Sequence, residues 1–457
     1  MENFDVAVLG GGPGGYVAAI KAAQLGMKVI ICEQEHFGGV CLNKGCIPTK
    51  LLLKSLKIYK DAKNAAKFGI EGIDVRAVKL NMSLVQQRKS QVVEQLVHGV
   101  QGLLKGNKVN VVFGSAELIN NHLVKVNGQE YKAKNIIIAT GSVPVLPPIP
   151  GIDGQNVITS NEALDLEELP ESMAIIGGGV IGVEFAQFFA EAGVDVSIFE
   201  MQPQILPTID EEVAKILRKE LEKKGVKIFV NAKVKQIEAC SIVAEANGEA
   251  KKFPAQQVLV AVGRKPNLKG VNPELHGLCT ERGAIVTDST MATNLPHIYA
   301  IGDVNGKSML AHTASMEGIV AVNNIAGHYS KMDYNAIPQC IYSFPEISSV
   351  GLSESAAREK YKDILVKKFY FRGNGKALIE DQQNGFVKVV AEPKYKQILG
   401  VHIVGPQATE LIAEAVVAIN LEATADELAL CIHPHPTVSE SMQEAFHAVV
   451  DRAIHSL

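Results

Sequence analysis

The sequence lacks the features that would point to a nucleic-acid-binding, membrane or secreted protein. Its 45 basic side chains do not outnumber its 49 acidic ones, so the formal net charge is −4 and no overall positive field attracts nucleic acid or an acidic membrane surface. Apolar runs stay well short of the roughly 18 residues of a membrane span. Seven cysteines in 457 residues are too few for a disulfide-stapled secreted fold. We therefore expect a reducing compartment, no nucleic-acid partner and no membrane span.

The start of the chain also lacks a targeting signal. Residues 1–5 (MENFD) contain two acids and no basic region, and thus resemble neither a secretory signal nor a transit peptide. The composition, 47% hydrophobic and 21% charged, is typical of a soluble globular protein, and the length suggests about three domains. We expect a cytoplasmic protein, or the mature form of an organelle protein.

A dinucleotide-binding pattern opens the chain. A strand-like run at residues 4–9 leads into Gly10, Gly12 and Gly15, followed by an alanine-rich helix pattern and a second strand that ends at Glu33. Such glycines permit a tight turn and a close approach of the backbone to a pyrophosphate, and the acid accepts ribose hydroxyls. A single pattern of this kind also occurs in turns that bind no ligand.

The same pattern returns with the same spacing. Gly177, Gly179 and Gly182 follow a second strand-like run, and Glu200 lies 23 residues after the first glycine, as Glu33 does in the first copy. Repetition argues against coincidence, so we predict two dinucleotide sites. A 2′-phosphate needs a basic side chain just beyond the acid, but none occurs after Glu200 until Lys215, which favours NAD over NADP.

Further strand patterns follow each unit. Residues 135–139 (NIIIA) and 257–261 (QVLVA) both end at a glycine turn and are interpreted as return strands of the two units, whereas the proline-rich residues 143–150 are interpreted as a linker. A strand at residues 298–301 places Asp303 at its carboxyl end, where open α/β sheets bind ligands. An ordinary surface turn would also explain this aspartate.

Cys41 and Cys46 form the one closely spaced cysteine pair in the sequence. On an ideal helix this spacing separates the Cα atoms by about 8.7 Å, beyond the roughly 7 Å that a disulfide can bridge. A disulfide therefore requires a distorted helix start, and Gly45 supplies the freedom. Two unbonded buried thiols remain an alternative, while a zinc site would need more ligands than His36.

A second chemical signal lies near the C-terminus. Pro436 can serve as the first helical residue, with His435 just outside the helix and Glu440 about one turn inside it. A carboxylate bonded to one imidazole nitrogen raises the basicity of the other, as in a nucleophile triad. A structural histidine is the alternative, because the sequence does not show that His435 reaches Cys41.

Together these residues carry a family resemblance. The segments GGVCLNKGCIPTK at 38–50, IYAIGDV at 298–304 and HPHPTVSE at 433–440, with the two dinucleotide patterns, resemble the flavoprotein disulfide reductases (class I pyridine nucleotide-disulfide oxidoreductases) over essentially the whole chain. The resemblance is strongest to members that oxidise protein-bound dihydrolipoamide in 2-oxo acid dehydrogenase and glycine cleavage complexes. Val40 and Lys44 depart from the commonest pattern, and Lys44 adds a positive charge between the thiols.

The resemblance implies an α/β fold with two Rossmann-like dinucleotide-binding domains and a C-terminal α+β dimerisation domain. The implied boundaries are 1–142 for the first part of an FAD domain, 143–270 for an NAD domain, 271–337 for a central segment that completes the FAD domain, and 338–457 for the interface domain. It also implies a homodimer with shared active sites, so that His435 approaches Cys41 from the partner, and it implies lipoyl domains and the core acyltransferase subunit of the complex as partners.

The resemblance further assigns residue roles. It implies a redox-active Cys41–Cys46 disulfide, with Cys41 as the interchange thiol, Cys46 as the flavin-side thiol, His435 as the base and Glu440 as its orienting acid, and no metal ligands. The implied FAD contacts are Gly10, Gly12, Gly15, Glu33, Lys50, Gly114, Gly141, Asp303 and Ala311. The implied NAD contacts are Gly177, Gly179, Gly182, Glu184, Glu200, Val234 and Gly263.

Three alternative functions remain open at the level of sequence. Glutathione reductase would need a basic NADP pocket where residues 201–204 (MQPQ) lie, and mercuric reductase would end in paired cysteines, whereas this chain ends AIHSL. A flavin-bearing scaffold with vestigial redox capacity is the third alternative, and the Cys41 and Cys46 pair argues against it.

Overall fold

The computed structural model describes residues 2–246 and 248–456, so Met1 and Leu457, the outermost residues of the terminal segments interpreted above, lie outside the described residues. The chain forms two compact units. The first unit comprises Met1–Leu146, Thr159–Glu168 and Gly263–Asp333, and the second comprises Pro147–Ile158, Leu169–Val262 and Tyr334–Leu457.

The first unit is built on a seven-stranded sheet. Its central strands are apolar on both faces, with Val6, Val8 and residues 136–138 fully buried, as is typical of parallel strands covered by helices on both sides. The sheet order is Asn110–Phe113, Val29–Glu33, Asn3–Leu9, Gln129–Ile138, Leu123–Val126 and Ala116–Asn120, and Ile298–Ala300 also pairs with Gln129–Ile138. The Leu123–Val126 and Ala116–Asn120 strands run antiparallel, and the others run parallel to their neighbours.

The helices of the first unit follow the glycine and cap signals of the sequence. Pro13 occupies the first turn of the helix after the first glycine turn, and the Asn81 side chain accepts a bond from Leu84 N at the start of the longest helix. The α-helices are Pro13–Gln24, Gly39–Lys44, Cys46–Lys63, Met82–Gly106, Ser160–Ala163, Pro273–His276 and Ala311–Ile325, and Ala65–Phe68 and Gly302–Asn305 are 3₁₀ turns. Two small antiparallel pairs join Ser142–Pro144 to Arg264–Pro266 and Thr280–Glu281 to Ala284–Ile285.

The second unit contains a five-stranded sheet with the second glycine turn. The strand order is Lys227–Phe229, Asp195–Phe199, Ser172–Ile176, Gln257–Val260 and Val157–Thr159, with the helices Val180–Glu191 and Glu211–Lys223 following the strands Ser172–Ile176 and Asp195–Phe199. An antiparallel sheet of Ala232–Glu238, Ser241–Ala246 and Glu249–Pro254 packs its apolar side chains into the same core.

The C-terminal part of the second unit is α+β. Its antiparallel sheet has the order Gln339–Ile341, Glu346–Gly351, Ile398–Gly405, Phe386–Ala391 and Leu365–Tyr370. Its helices are Glu354–Lys360, Gly375–Ile379, Ala408–Asn420, Ala425–Ala429 and Glu440–Val450, with a 3₁₀ turn at Phe371–Gly373. A continuous apolar core joins the sheet to the Ala408–Asn420 and Glu440–Val450 helices.

The fold class predicted from the sequence is confirmed. The proposed return strands pair in parallel with the strands that begin the two glycine turns, Asn135 opposite Val6 and Gln257 opposite Met173. The linker prediction is wrong at its start, because Val143 and Pro144 form a short strand opposite Arg264–Pro266.

Candidate active site

The two glycine turns are built alike. Gly10 and Gly177 have φ of +108° and +110°, backbone angles that residues other than glycine rarely adopt. A Cβ atom at Gly15 would lie 1.9 Å from the Gly10 carbonyl oxygen, and one at Gly182 would lie 2.1 Å from the Gly177 carbonyl oxygen. Each turn therefore packs its helix against its strand at a distance that excludes any larger residue.

The helices after both turns have N-termini without a side-chain cap among the described residues. Gly12 precedes Pro13–Gln24 and Gly179 precedes Val180–Glu191, and no described side chain caps either helix. The first backbone N–H groups of a helix and its dipole bind anions such as a pyrophosphate. Glycine at the cap also lets a ligand approach, since a Cβ at Gly179 would meet no described atom within 4 Å.

The two predicted ribose acids are also equivalent. Glu33 and Glu200 are 8% and 9% exposed, and each carboxylate accepts two backbone N–H bonds of 2.7 Å. The donors are Gly11 and Glu35 for Glu33, and Gly178 and Gln202 for Glu200. These bonds fix each carboxylate beside its glycine turn, where a carboxylate suits the hydroxyls of a ribose.

The cysteine pair lies at a break between two helices. Cys41 belongs to Gly39–Lys44 and Cys46 begins Cys46–Lys63, while Gly45 between them has φ −157° and ψ −114°. The break removes the helical spacing that would hold the thiols apart, as expected for Gly45, and the two side chains are hydrogen-bonded to each other. Cys41 is half-buried and Cys46 is exposed, so the pair does not match two buried thiols, and its disulfide stays a prediction.

Charges around the thiols favour different protonation states. The hydrogen bond that the Cys41 thiol donates to Cys46, burial and the Cys46 charge raise the pKa of Cys41 far above its usual value, and the nearby Lys50 opposes this shift. Cys46 is the first residue of an 18-residue helix, a position where the helix dipole favours a thiolate. The geometry therefore suits a protonated Cys41 beside a negative Cys46.

Lys44 does not direct its charge at the thiols. Its Nζ lies 2.6 Å from Glu35 Oε2, and this hydrogen bond lowers the pKa of Glu35. Glu35 in turn donates its backbone N–H to Glu33. The departure from the common family pattern is thus compensated by a neighbouring acid on the same unit.

Asp303 is part of a hydrogen-bonded network rather than an ordinary surface turn. Ser142 Oγ donates to Asp303 Oδ2 at 2.5 Å, and Arg264 Nε donates to Ser142 Oγ at 2.7 Å. The guanidinium also donates to the Ser142 carbonyl at 2.7 Å. Burial lowers the pKa of Arg264, while Asp303 and Cys46 raise it, so the cation is within electrostatic range of both.

The remaining predicted contacts lie at turns and element ends. In the first unit, Gly114 has φ +153° and donates its N–H to the Glu33 carbonyl, Gly141 and Gly263 have φ +70° and +118°, and Ala311 begins a helix. In the second unit, Val234 is buried in a strand, and buried Glu184 accepts a 2.9 Å bond from Tyr342 N. Gly263 thus belongs to the first unit rather than to the second with the other predicted NAD contacts.

The histidine and acid near the C-terminus form the predicted pair. His435 Nδ1 lies 2.8 Å from Glu440 Oε1, and Thr437 N donates to Glu440 Oε2 at 2.8 Å. Burial raises the pKa of Glu440, but the bonds from Thr437 and His435 outweigh it and lower the pKa overall. The predicted helix start is wrong, because the helix begins at Glu440 and Pro436 lies in the preceding turn. The carboxylate reaches back from the helix start to the imidazole.

Sequence reasoning missed several residues around these groups. Ser142 and Arg264 come from segments far apart in sequence, and the signal was the arginine directly after Gly263. Tyr16, in the first helix, is close enough to Cys41 that burial and the Cys41 charge raise its pKa. The hydroxyl therefore stays protonated near the thiol.

The described part of the chain, residues 2–246 and 248–456, offers neither a metal cluster nor a membrane helix. No group of three or more histidine, cysteine, aspartate or glutamate side chains there could hold a metal ion. None of its helices is both long and apolar enough to cross a membrane.

Comparisons with known proteins identify relatives over almost the full length. Residues 4–318 match the family described as pyridine nucleotide-disulphide oxidoreductase, and residues 337–446 match the dimerisation domain of that family. The chain is 44% identical to a dihydrolipoyl dehydrogenase of Bacillus subtilis (strain 168), with 99% of both chains covered, and 42% identical to one of Thermus scotoductus, with 100% of both covered.

Solved structures of related proteins also match this chain over almost its full length. LpdA from Mycobacterium tuberculosis superposes with a TM-score of 0.90 at 26% identity, covering 98% of this chain and 100% of that one. A Cu(II) complex of the HOCl-induced flavoprotein disulfide reductase RclA from Escherichia coli gives 0.88 at 30% identity, with the same coverage.

Proposed function

Because the chain belongs to the pyridine nucleotide-disulphide oxidoreductase family, we propose that it acts as a dihydrolipoyl dehydrogenase. The substrate is a protein-bound dihydrolipoyl dithiol, which is oxidised to the cyclic disulfide while NAD is reduced. The contact between Cys41 and Cys46, in the unit with the first glycine turn, carries the proposal, because a reversible disulfide can take up two electrons from a dithiol. Full-length relatives at 41–44% identity support the choice of substrate.

FAD and NAD are the cofactors, and the two glycine turns fit them. The first turn, with an uncapped helix start and a fixed acid, suits FAD, and its equivalent around Glu200 suits NAD. The FAD residues we propose are Gly10, Gly12, Gly15, Glu33, Lys50, Gly114, Gly141, Asp303 and Ala311. The NAD residues we propose are Gly177, Gly179, Gly182, Glu184, Glu200, Val234 and Gly263. Held by these residues, FAD would supply the redox chemistry that connects the dithiol to NAD.

The protein residues perform the thiol chemistry. In the oxidised enzyme, a substrate thiolate attacks the Cys41 sulfur, which breaks the Cys41–Cys46 bond and leaves Cys46 as a thiolate at its helix start. The second substrate thiolate then attacks the substrate sulfur of the mixed disulfide and expels the Cys41 thiolate. The substrate leaves as a disulfide, and both protein thiols are reduced.

His435 is the proposed base. It accepts the proton of the first substrate thiol at Nε2, while Glu440 holds Nδ1 and stabilises the resulting imidazolium. Cys41 belongs to the first unit and His435 to the second. We propose that His435 of one subunit serves Cys41 of the other in a homodimer, which is supported by the match of residues 337–446 to a dimerisation domain.

We assign NAD rather than NADP to the second turn. The Glu200 carboxylate is fixed beside the second glycine turn by two 2.7 Å bonds, and a 2′-phosphate near it would be repelled. The same feature argues against a glutathione reductase. We also propose residues 1–142 and 271–337 as the FAD domain, 143–270 as the NAD domain and 338–457 as the dimerisation domain.

Lipoyl domains and the core acyltransferase of a 2-oxo acid dehydrogenase complex are the proposed partners, with the lipoyl protein of glycine cleavage as the further candidate. This assignment follows from the substrate, because dihydrolipoyl groups are presented by such carriers. We place the enzyme in the cytoplasm.

A substrate panel tests the proposal directly. The purified holoenzyme is given either dihydrolipoamide with NAD or glutathione disulfide with NADPH, and nicotinamide absorbance is followed. We expect turnover only in the first assay. Turnover of glutathione disulfide with NADPH would refute the assignment, and the absence of flavin reduction by dihydrolipoamide in a stopped-flow experiment would favour the scaffold alternative.

Single cysteine variants supply the matched control. Cys41→Ser should abolish dihydrolipoamide oxidation while leaving FAD bound, and Cys240→Ser, which changes an exposed thiol in the second unit, should leave turnover unchanged. Dihydrolipoamide oxidation that survives Cys41→Ser would remove the disulfide from the mechanism.

A further inference from the structure

The segment that carries His435 has little structure of its own. Residues 430–439 form no helix or strand in the described chain, although they connect the helices Ala425–Ala429 and Glu440–Val450. The Ile432 side chain is 96% exposed and that of His435 is 81% exposed. Burial of these side chains therefore does not fix the direction of the base.

His433 is a polar side chain of this segment that points inward. Its side chain is 8% exposed, and its Nε2 lies 3.1 and 3.2 Å from the two carboxylate oxygens of Glu414, on the helix Ala408–Asn420. Its Nδ1 lies 3.1 Å from the Cys431 carbonyl oxygen. Gln443 Nε2, from the following helix, donates to the same carbonyl at 2.8 Å.

These contacts favour the protonated form of His433. A carboxylate and a carbonyl oxygen can only accept, and the imidazolium, with two N–H groups, is the form that can donate to both. A neutral ring would leave one of its nitrogens facing an acceptor without a hydrogen. The side chain therefore joins the helix Ala408–Asn420 to the segment, and the Cys431 carbonyl that it shares with Gln443 links the segment to the helix Glu440–Val450.

We propose that His433, held as an imidazolium between Glu414 and the Cys431 carbonyl, is a positioning residue that fixes the segment carrying the base His435. The inference rests on the proposed function, because it assigns His435 as the base. His433 does not touch the substrate in this role. Together with the Glu440 bond to Nδ1, it sets where His435, two residues further on, directs Nε2.

The proposal has a defined pH dependence. The charged groups acting on His433 are Glu414 from Ala408–Asn420 and Glu440 from the start of Glu440–Val450, and within its own segment it contacts the Cys431 carbonyl. The Glu414 bond outweighs burial and raises the pKa of His433. The anchor is therefore complete below that pKa, and it loses one hydrogen bond as the pH rises through it.

Paired variants test the anchor in the holoenzyme. His433→Gln keeps one amide donor but removes the charge, and Glu414→Gln removes the acceptor charge from the other side. His328→Gln, an exposed histidine of the first unit, is the matched control. The readouts are kcat and KM for dihydrolipoamide as a function of pH, and the rate of NADH oxidation by ferricyanide, which needs both nucleotides but not the base.

We expect His433→Gln to lower kcat by about 10- to 100-fold, because a displacement of about 1 Å costs that much, with KM and the ferricyanide rate within about twofold of the wild type. Glu414→Gln should move the alkaline loss of kcat to lower pH, and His328→Gln should change neither. Unchanged kcat and pH profile in both anchor variants would overturn the proposal, as would an equal loss of the ferricyanide rate, which would indicate a general structural role.

Two measurements separate this inference from the proposed function. Histidine NMR, assigned by the signal missing in His433→Gln, should show a doubly protonated His433 at neutral pH, and amide exchange at residues 430–439 should rise in that variant. A wild-type enzyme that does not oxidise dihydrolipoamide would refute the proposed function, while these two measurements would still report on the anchor. A neutral His433 with unchanged exchange would refute the anchor itself.

Discussion

A buried lysine in the second unit provides the sharpest test of the packing. Lys388, on the strand Phe386–Ala391, is 1% exposed, and its Nζ lies 3.0 and 2.9 Å from the two oxygens of Asp210. It also reaches Glu212 at 2.5 Å and Glu354 at 3.2 Å. Asp210 caps the helix Glu211–Lys223 by accepting from Glu212 N at 3.1 Å. The lysine therefore ties that helix to the C-terminal sheet.

Lys388→Met removes the cation but keeps the volume. Asp210, which is 6% exposed, then remains as a buried carboxylate without its cation, a change that typically costs about 3–5 kcal/mol. The side chains of Glu212 and Glu354 are 44% and 29% exposed and keep Lys368 and Arg358 as partners, so they add little. At about 2–4 °C per kcal/mol, the melting temperature should fall by about 6–20 °C.

The pH dependence of this loss has a defined sign. Burial lowers the pKa of Lys388, but the bonds to the three acids outweigh burial and raise this pKa above 10.5. The contribution of Lys388 to stability is therefore present at neutral pH and is lost only as the pH rises through the raised value. The pKa values of Glu212 and Glu354 are lowered from 4.5, so their contribution is lost on acidification. The difference between wild type and variant should therefore be greatest between about pH 5 and 10.

Calorimetry of the holoenzyme measures the effect. Asp210→Asn combined with Lys388→Met should recover more than half of the loss, because it replaces the stranded charge with a neutral amide. Lys215→Met, which breaks an exposed pair on the same helix, should cost about 0.5 kcal/mol or less. A loss below about 1 kcal/mol for Lys388→Met, or no recovery in the double variant, would refute the reasoning.

Three further predictions concern the site. Gly15→Ala should yield protein without FAD, whereas Gly182→Ala should keep FAD but bind NADH about 10- to 100-fold more weakly, because each substitution forces a methyl group onto a backbone carbonyl. Flavin absorbance and NADH titration measure these losses. Gly99→Ala, whose added methyl group meets no described atom within 4 Å, is the control. Glu440→Gln should reduce dihydrolipoamide turnover by about 100-fold without affecting NADH oxidation by ferricyanide, and a smaller effect than tenfold would remove the acid from the mechanism. Ser142→Ala should weaken FAD binding about fivefold, or about 1 kcal/mol, measured by fluorescence of released flavin, because the Asp303 carboxylate loses its hydroxyl donor; unchanged FAD affinity would separate that network from the cofactor.

The sequence predicts features that depend on local chemistry. The spacing of Gly10, Gly15 and Glu33, and its repetition from Gly177, follows from a turn, a helix and a strand that are contiguous in the chain, so the pattern is readable without knowledge of tertiary contacts. The interruption at Gly45 is predictable for the same reason, because a disulfide could not form on a regular helix.

Features that join distant segments could not be predicted in this way. Ser142, Arg264 and Asp303 meet only because the short strands Ser142–Pro144 and Arg264–Pro266 pair and bring the arginine to the turn after Ile298–Ala300. The Lys388 cluster likewise joins residues more than 100 positions apart. The sequence predicts the start of the last helix too early, because a proline is common both in a first helical turn and in the turn before a helix. In the structure, Thr437 bonds to Glu440 and Pro434 close a turn before the helix begins.

The break at Gly45 also restricts how this segment can evolve. Cys46 is the residue at which a new helix starts, so an insertion of one amino acid after it does not change its orientation. An insertion between residues 41 and 46 must instead be accommodated within a few residues. One extra residue added to the short helix would rotate the second cysteine about the helix axis by about 100° and advance it by about 1.5 Å. The side chain of Lys44 points to Glu35 and leaves this spacing untouched, whereas a change in the length of the segment would not.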